Sequence, residues 1–191
     1  MRKFILFFAL VLICCGCQIT TSSSRTSARE VTKPLSEGLM CEPLELDKII
    51  SQCEKVANNK CSGVALTEFD YWFNKDFSEG RGVFTFEAVS GEYHDRVKVE
   101  LDVGNREIFS ISHRQTKSDT PVQITPYSLG STDFEGELER VVENEVFIDS
   151  VGDKDYRISL ESMPKKGIRL SADSENGELF SCVLGEVENE E

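Results

Sequence analysis

A series of short β-type segments that begins at Gly63 constrains the fold of this chain more than any other feature. Every second residue from Val97 to Val103 is apolar and the residues between them are charged, which is typical of a strand with one buried face. Turn-forming pairs such as Gly104-Asn105 separate such segments. Similar runs cover 82–89, 107–113, 121–125, 134–142, 145–150, 155–161, 167–172 and 178–184. This spacing predicts a mainly β fold, an antiparallel β-sandwich or meander barrel.

One N-terminal helix is predicted before these strands. Its apolar residues recur at steps of three and four, which places them on one face of a helix. They are Leu46, Ile49, Ile50, Cys53 and Val56. Because Pro43 suits the first turn and Asn58-Asn59 suits the end, we expect the helix to run from about 43 to 58.

The N-terminus has the layout of a secretory signal. Arg2 and Lys3 precede an apolar run that starts at Phe4 and ends by Cys15. A membrane-spanning helix needs about 20 apolar residues, so this run is too short for a permanent anchor. The sequence therefore predicts an exported protein.

The stretch Leu12-Ile13-Cys14-Cys15-Gly16-Cys17 resembles the lipobox of bacterial lipoproteins, with Cys14 where Leu is usual. The resemblance covers only the first eighteen residues. It implies cleavage after Gly16 and a diacylglycerol group on the Cys17 thiol. Gln18, in place of a retention Asp, resembles lipoproteins sorted to the outer membrane, facing the periplasm. The alternative is a plain secretory signal cut later, for example after Ala28, and a secreted protein.

These observations divide the chain into four parts. Residues 1–16 form the signal peptide, and residues 17–39 form the lipidated cysteine with a flexible tether rich in Ser and Thr. Residues 40–184 are predicted to form a single β-rich domain stapled by disulfides. Residues 185–191 form an acidic tail that we expect to be disordered.

The mature chain is strongly acidic. Removing Arg2 and Lys3 with the signal leaves 19 basic and 34 acidic residues, a net charge of −15. Such a surface repels phosphate backbones and anionic headgroups, so nucleic acid is excluded as a partner class. Attachment to a membrane then depends on the lipid on Cys17. The remaining partner is predicted to be an envelope protein or a ligand of unknown identity.

Four cysteines remain in the mature domain: Cys41, Cys53, Cys61 and Cys182. An even number in an exported domain predicts two disulfides, and no CxxC pair indicates a redox motif or a zinc ribbon. With a helix from 43 to 58, Cys53 lies some 15 Å along it, which favours Cys53–Cys61 with Cys41–Cys182. A helix that begins at Lys48 leaves the other pairings open.

Phe69, Tyr71, Trp72, Phe73 and Phe77 form the densest aromatic cluster. Successive side chains of a strand point to opposite faces, so these rings cannot all enter one core. They are candidates for a binding surface, because exposed Trp and Tyr often anchor partners. The alternative, which we favour, is packing in the core.

The remaining residues give little support for catalysis. A zinc site needs three or four ligands, and no third ligand stands at a recognisable spacing from the only histidines, His94 and His113. We therefore expect histidines that lie at the surface or in hydrogen bonds, with no metal site and no cofactor. A loose pair of these histidines across the hairpin of segments 92–103 and 107–113 is the alternative. No Gly-x-Ser-x-Gly elbow occurs, so no catalytic residue is assigned.

Together these features predict an envelope-anchored lipoprotein that acts as a non-enzymatic binding or structural module. One alternative is a β-barrel that carries a small apolar ligand. Another is an envelope hydrolase, which requires a cleft with convergent titratable groups.

Overall fold

The computed structural model describes residues 28–118, 122–127, 134–163 and 167–184. Cys17, the signal peptide and the acidic tail lie outside these residues. Within these ranges the chain forms eight strands: β1 (Ala28–Gly38), β2 (Ala65–Asn74), β3 (Gly80–Ser90), β4 (Tyr93–Asp102), β5 (Glu107–Lys117), β6 (Arg157–Ser162), β7 (Ile168–Ser174) and β8 (Gly177–Leu184). Three helices accompany them: α1 (Leu46–Asn58), α2 (Phe134–Val142) and α3 (Glu145–Val151).

The strands form one open antiparallel sheet in the order β1-β5-β4-β3-β2-β6-β7-β8. Two meanders, β2 to β5 and β6 to β8, meet where β2 pairs with β6, and β1 adds an edge strand beside β5. The predicted mainly β, antiparallel class is confirmed.

The helices lie on one face of the sheet, called here the helix face. It carries Val97, Val99 and Leu101 of β4, all fully buried. Since β1 and β2 lie four positions apart in the sheet, α1 crosses the sheet between them and contacts β3 and β4. The opposite, outer face carries the charged residues of β4, such as Arg96 and Lys98.

The predicted helix is present, but it begins at Leu46 rather than near Pro43. The apolar residues predicted for its inner face are all buried, together with Ala57. Tyr71 of β2 donates a hydrogen bond from its hydroxyl to the Pro43 carbonyl oxygen, at 2.8 Å, inside the protein. This bond fixes the segment that leads into α1 against the sheet.

The prediction of a flexible tether over residues 17–39 is wrong for residues 28–38, which form β1. This strand pairs with β5 alone, in a register that runs from Ala28↔Thr116 to Gly38↔Glu107. Its side chains are almost all exposed. An edge strand outside the core needs no apolar alternation, because its backbone hydrogen bonds hold it in place. Hence a strand rather than a helix is the first element.

Two segments predicted as strands, 134–142 and 145–150, are helices α2 and α3. Their β-branched residues favour a strand, whereas their apolar residues follow helical spacing. Phe147 and Val151 are buried four residues apart, and the Asn144 side chain caps α3 by accepting a hydrogen bond from the Val146 amide at 2.8 Å. Cap and spacing together outweigh the strand propensity of valine and isoleucine.

Candidate functional site

One part of the helix face is left uncovered by the helices. Because α1 lies over β3 and β4, it leaves the helix face of the neighbouring strands β5 and β1 uncovered. This uncovered part is called here the shelf. The register pairs Arg29 with Gln115, Val31 with His113 and Lys33 with Ile111, so these side chains point to the same face. The shelf bounds a cleft of about 310 Å³. Its lining residues are Arg29, Val31, Lys33, Lys60, Ile111, His113 and Gln115, called here the basic cleft.

The basic cleft has a charge opposite to that of the chain as a whole. Arg29, Lys33 and Lys60 line it, and its lining includes no carboxylate. Among the described residues, none of these three cations has a carboxylate oxygen within 4.0 Å. The cations therefore keep their charge available for a negatively charged ligand.

A polar cluster lies behind the cleft lining and reaches it through His113 and Gln115. Asp95 occupies a position in β4 where the alternation predicts an apolar side chain, and only 4% of its surface is exposed. The β4–β5 register places Gln115 directly opposite Asp95 and His113 two positions along on the same face. The ring nitrogen Nε2 of His113 lies 2.8 Å from Asp95 Oδ1, and Gln115 Nε2 donates to the same oxygen at 3.0 Å.

Cys61 completes the cluster from the turn that follows α1. The Cys61 amide donates to the Ala57 carbonyl, at 3.1 Å. Gly63, with φ of +74°, closes the turn by donating to the Asn58 side chain. Burial raises the pKa of the Cys61 thiol, and the charge of Asp95 and a hydrogen bond to it raise that pKa further. Cys61 Sγ, an Asp95 oxygen and a His113 nitrogen all lie within 4.8 Å of one another.

The two histidines do not pair. His94 is opposite Thr116 in the sheet and points to the outer face, whereas His113 is opposite Val97 and points to the helix face. The loose pair, considered as an alternative to surface or hydrogen-bonded histidines, does not form, since side chains of opposite parity in one sheet point to opposite faces. His113 does form the hydrogen bond expected of a histidine, while buried Nε2 of His94 lies 3.4 Å from Glu87 without forming one.

Sequence reasoning missed Cys61 and Asp95 as partners of His113. The three residues are separated by 34 and 18 positions, which no motif spacing reveals. One signal was present: Asp95 stands on the apolar parity of β4, in line with Val97 and Val99. A carboxylate at a core position needs a partner, and this requirement marks the position as unusual.

The aromatic candidates lie mostly in the core. Phe69, Tyr71 and Phe73 are at most 1% exposed, and Phe77 packs on Phe73 with ring centroids 5.0 Å apart. These four residues therefore do not form a binding surface. Trp72 alone points to the outer face, where the Arg157 guanidinium lies 5.4 Å from its ring.

The four cysteines of the domain are free thiols, so the prediction of two disulfides is wrong. Cys61 contacts β4, while Cys182 lies in β8, five strand spacings or roughly 24 Å away along the sheet. Cys41 lies beside the β4–β5 turn, because its carbonyl oxygen accepts a hydrogen bond from Arg106 there. Cys41 is therefore at least as many strand spacings from β8 as Cys61 is. Disulfide bonding requires Cα atoms within about 7 Å, so β8 is out of reach of these two cysteines. Cys53 is fully buried on α1.

In the described part of the chain, no helix has both the length and the apolar character required to cross a bilayer. No family model, curated protein or solved structure is significantly similar to this chain.

Proposed function

We propose that this protein is an exported lipoprotein, held at the envelope by the lipid on Cys17, whose domain is a non-enzymatic binding module. The apolar leader and the Gly16-Cys17 junction support the anchor. Gln18 favours the outer membrane, facing the periplasm. Several acyl chains on one residue give stable attachment, so the domain itself needs no basic membrane-binding surface.

In this proposal the segment between the anchor and the domain is shorter than the tether predicted from the sequence, because β1 includes residues 28–38. Because Ala28 already belongs to β1, at most residues 18–27 separate Cys17 from the sheet. Ten residues span at most roughly 35 Å when fully extended. The β1 edge, and with it the basic cleft, would therefore stay close to the lipid surface.

The basic cleft is the observation that carries the binding role. In a mature chain of charge −15, three cations without an ion-pair partner among the described residues converge on one cleft beside the aliphatic side chains of Val31 and Ile111. Such a lining favours a small organic anion with an apolar part, because the cations attract the charge and the aliphatic groups cover the remainder. The cleft volume of about 310 Å³ lies at the lower end of the range usual for small-molecule pockets, so it suits a small ligand.

Two alternatives have weaker support. A cysteine hydrolase needs a thiolate, and a raised pKa of Cys61 disfavours that form. An apolar carrier needs an interior cavity, whereas buried side chains of strands and α1 fill the space between sheet and helix.

Titration with 8-anilinonaphthalene-1-sulfonate, an anion with an apolar body, tests the proposal. We expect saturable binding to the full chain in detergent and chelator, competition by octanoate, and weakening with added salt. Replacing Arg29, Lys33 and Lys60 by Gln should abolish saturation.

The matched control is Arg114→Gln, which removes an exposed arginine from β5 outside the basic cleft. It should bind the dye like the unaltered chain. Equal binding by the triple variant and this control would refute the basic cleft as the binding site.

A further inference from the structure

We propose that Cys61, Asp95 and His113 form a binding site for a divalent cation of the zinc class. Thiolate, carboxylate and imidazole are the three side-chain ligands that Zn²⁺ uses in proteins. One thiolate and one carboxylate balance the two positive charges of the ion. This assignment goes beyond the anion-binding role and does not depend on it.

The distances suit such a site after small side-chain movements. Zinc bonds of about 2.0 to 2.3 Å at tetrahedral angles place ligand atoms roughly 3.3 to 3.7 Å apart. The ligand atoms of the cluster lie within 4.8 Å of one another, and the closest pair, His113 Nε2 and Asp95 Oδ1, is 2.8 Å apart. An ion would replace this hydrogen bond by two bonds to the metal.

The burial of Asp95 is a second, independent indication. A buried carboxylate is costly unless a positive charge accompanies it. Among the described residues, no lysine or arginine nitrogen lies within 4.0 Å of Asp95, and its nitrogen partners are His113 and the neutral amide of Gln115. A bound cation would supply positive charge at Asp95 without requiring His113 to be protonated.

The surroundings define what kind of site this would be. Three protein ligands leave a fourth position for water or a ligand, as in zinc sites that remain open. His113 lines the basic cleft, so the open position is accessible from that cleft. Gln115 contacts Asp95 without belonging to the ligand set and would act as a positioning residue.

Metal titration of the full chain in detergent, first stripped with chelator and kept reduced, tests the site. We expect one Zn²⁺ per chain by calorimetry and, with Co²⁺, the near-ultraviolet charge-transfer band of a thiolate ligand. Cys61→Ser should abolish that band. Cys61→Ser, Asp95→Asn and His113→Ala should each weaken zinc binding by about tenfold or more.

His94→Ala and Cys182→Ser are the matched controls, because they remove the same residue types elsewhere in the sheet. Both should bind zinc like the unaltered chain, and circular dichroism should show that every variant remains folded. The assignment is overturned if the chain binds no stoichiometric zinc, or if folded Cys61→Ser and His113→Ala variants bind it undiminished. The dye titration is carried out in chelator and does not depend on bound zinc. A negative zinc result would therefore refute the metal site without refuting anion binding in the basic cleft.

Discussion

Asp95 and Tyr71 show how single polar side chains organise the interior of this domain. Asp95 is buried and accepts hydrogen bonds from Gln115 and His113, while Tyr71 is fully buried and donates one to the Pro43 carbonyl. Each bond joins residues far apart in sequence. Burial raises the pKa of Tyr71 well above its usual range, so its hydroxyl stays protonated and continues to donate.

Removing the Tyr71 hydroxyl should therefore destabilise the domain. We expect Tyr71→Phe to lower the free energy of unfolding by about 1–3 kcal/mol, because the buried Pro43 carbonyl oxygen loses its donor. Urea denaturation followed by circular dichroism measures the change. Tyr93→Phe, at an exposed tyrosine of β4, should shift stability by less than about 0.5 kcal/mol. Equal stability of Tyr71→Phe and the unaltered chain would contradict a structural role of this bond.

At the scale of single residues, the sequence shows which residue types are present but not which of them are in contact in the fold. His113 was visible as a candidate ligand, whereas its partners come from a turn after α1 and from the neighbouring strand. Their proximity depends on the β4–β5 register, which the hydrophobic pattern alone restricts only to one parity. The aromatic cluster was more predictable, since alternation requires Trp72 to point away from Tyr71 and Phe73.

At the scale of elements, the hairpin between β4 and β5 sets the register on which the cluster depends. Gly104 lies in this turn against the backbone of Ser78, in the neighbouring β2–β3 turn. A Cβ at position 104 would overlap the Ser78 carbonyl oxygen. The two turns pack closely only because this residue is a glycine.

Gly104→Ala should consequently lower the free energy of unfolding by about 1–3 kcal/mol, the usual cost of forcing extra atoms into a packed region. Thermal or urea unfolding measures it. Gly38→Ala is the control, because a Cβ there meets no atom within 4 Å, and it should change stability by less than about 0.5 kcal/mol. Similar effects of both substitutions would argue against the close approach of the two turns.

Helices and strands with a clear apolar periodicity were predicted correctly from the sequence, and those without one were not. Strands β3 to β5 and helix α1 have clear periods and were predicted, whereas β2 was not among the predicted strands. Strand β1 has none, because it is an exposed edge held by main-chain hydrogen bonds. Helices α2 and α3 contain β-branched residues whose strand propensity is overridden by packing, as for Phe147 against Phe180, with ring centroids 5.2 Å apart.

At the scale of the whole molecule, charge is unevenly distributed. The chain has a net charge of −13, yet three cations meet in the basic cleft beside β1. The proposed lipid anchor is joined to that same strand by ten residues. In this proposal the basic cleft and the point of attachment are thus neighbours, at one edge of the sheet.

The anchor itself gives a direct prediction. Cys17→Ala should move the protein from the membrane fraction to the soluble fraction, because the variant has no thiol to carry diacylglycerol. Fractionation, with mass measurement of the N-terminal peptide, follows the change. Cys182→Ser should remain in the membrane fraction, since that residue lies in β8. Membrane association of Cys17→Ala at the level of the unaltered chain would refute lipidation.

The position of β1 has a consequence for ligand binding. Arg29, Val31 and Lys33 belong to a strand that a single ladder joins to the sheet, while the core lies under α1. Strands of this kind detach locally at a lower free energy than global unfolding requires. Transient detachment would remove one wall of the basic cleft while the other seven strands stayed folded, so occupancy of the cleft and attachment of this strand would favour each other.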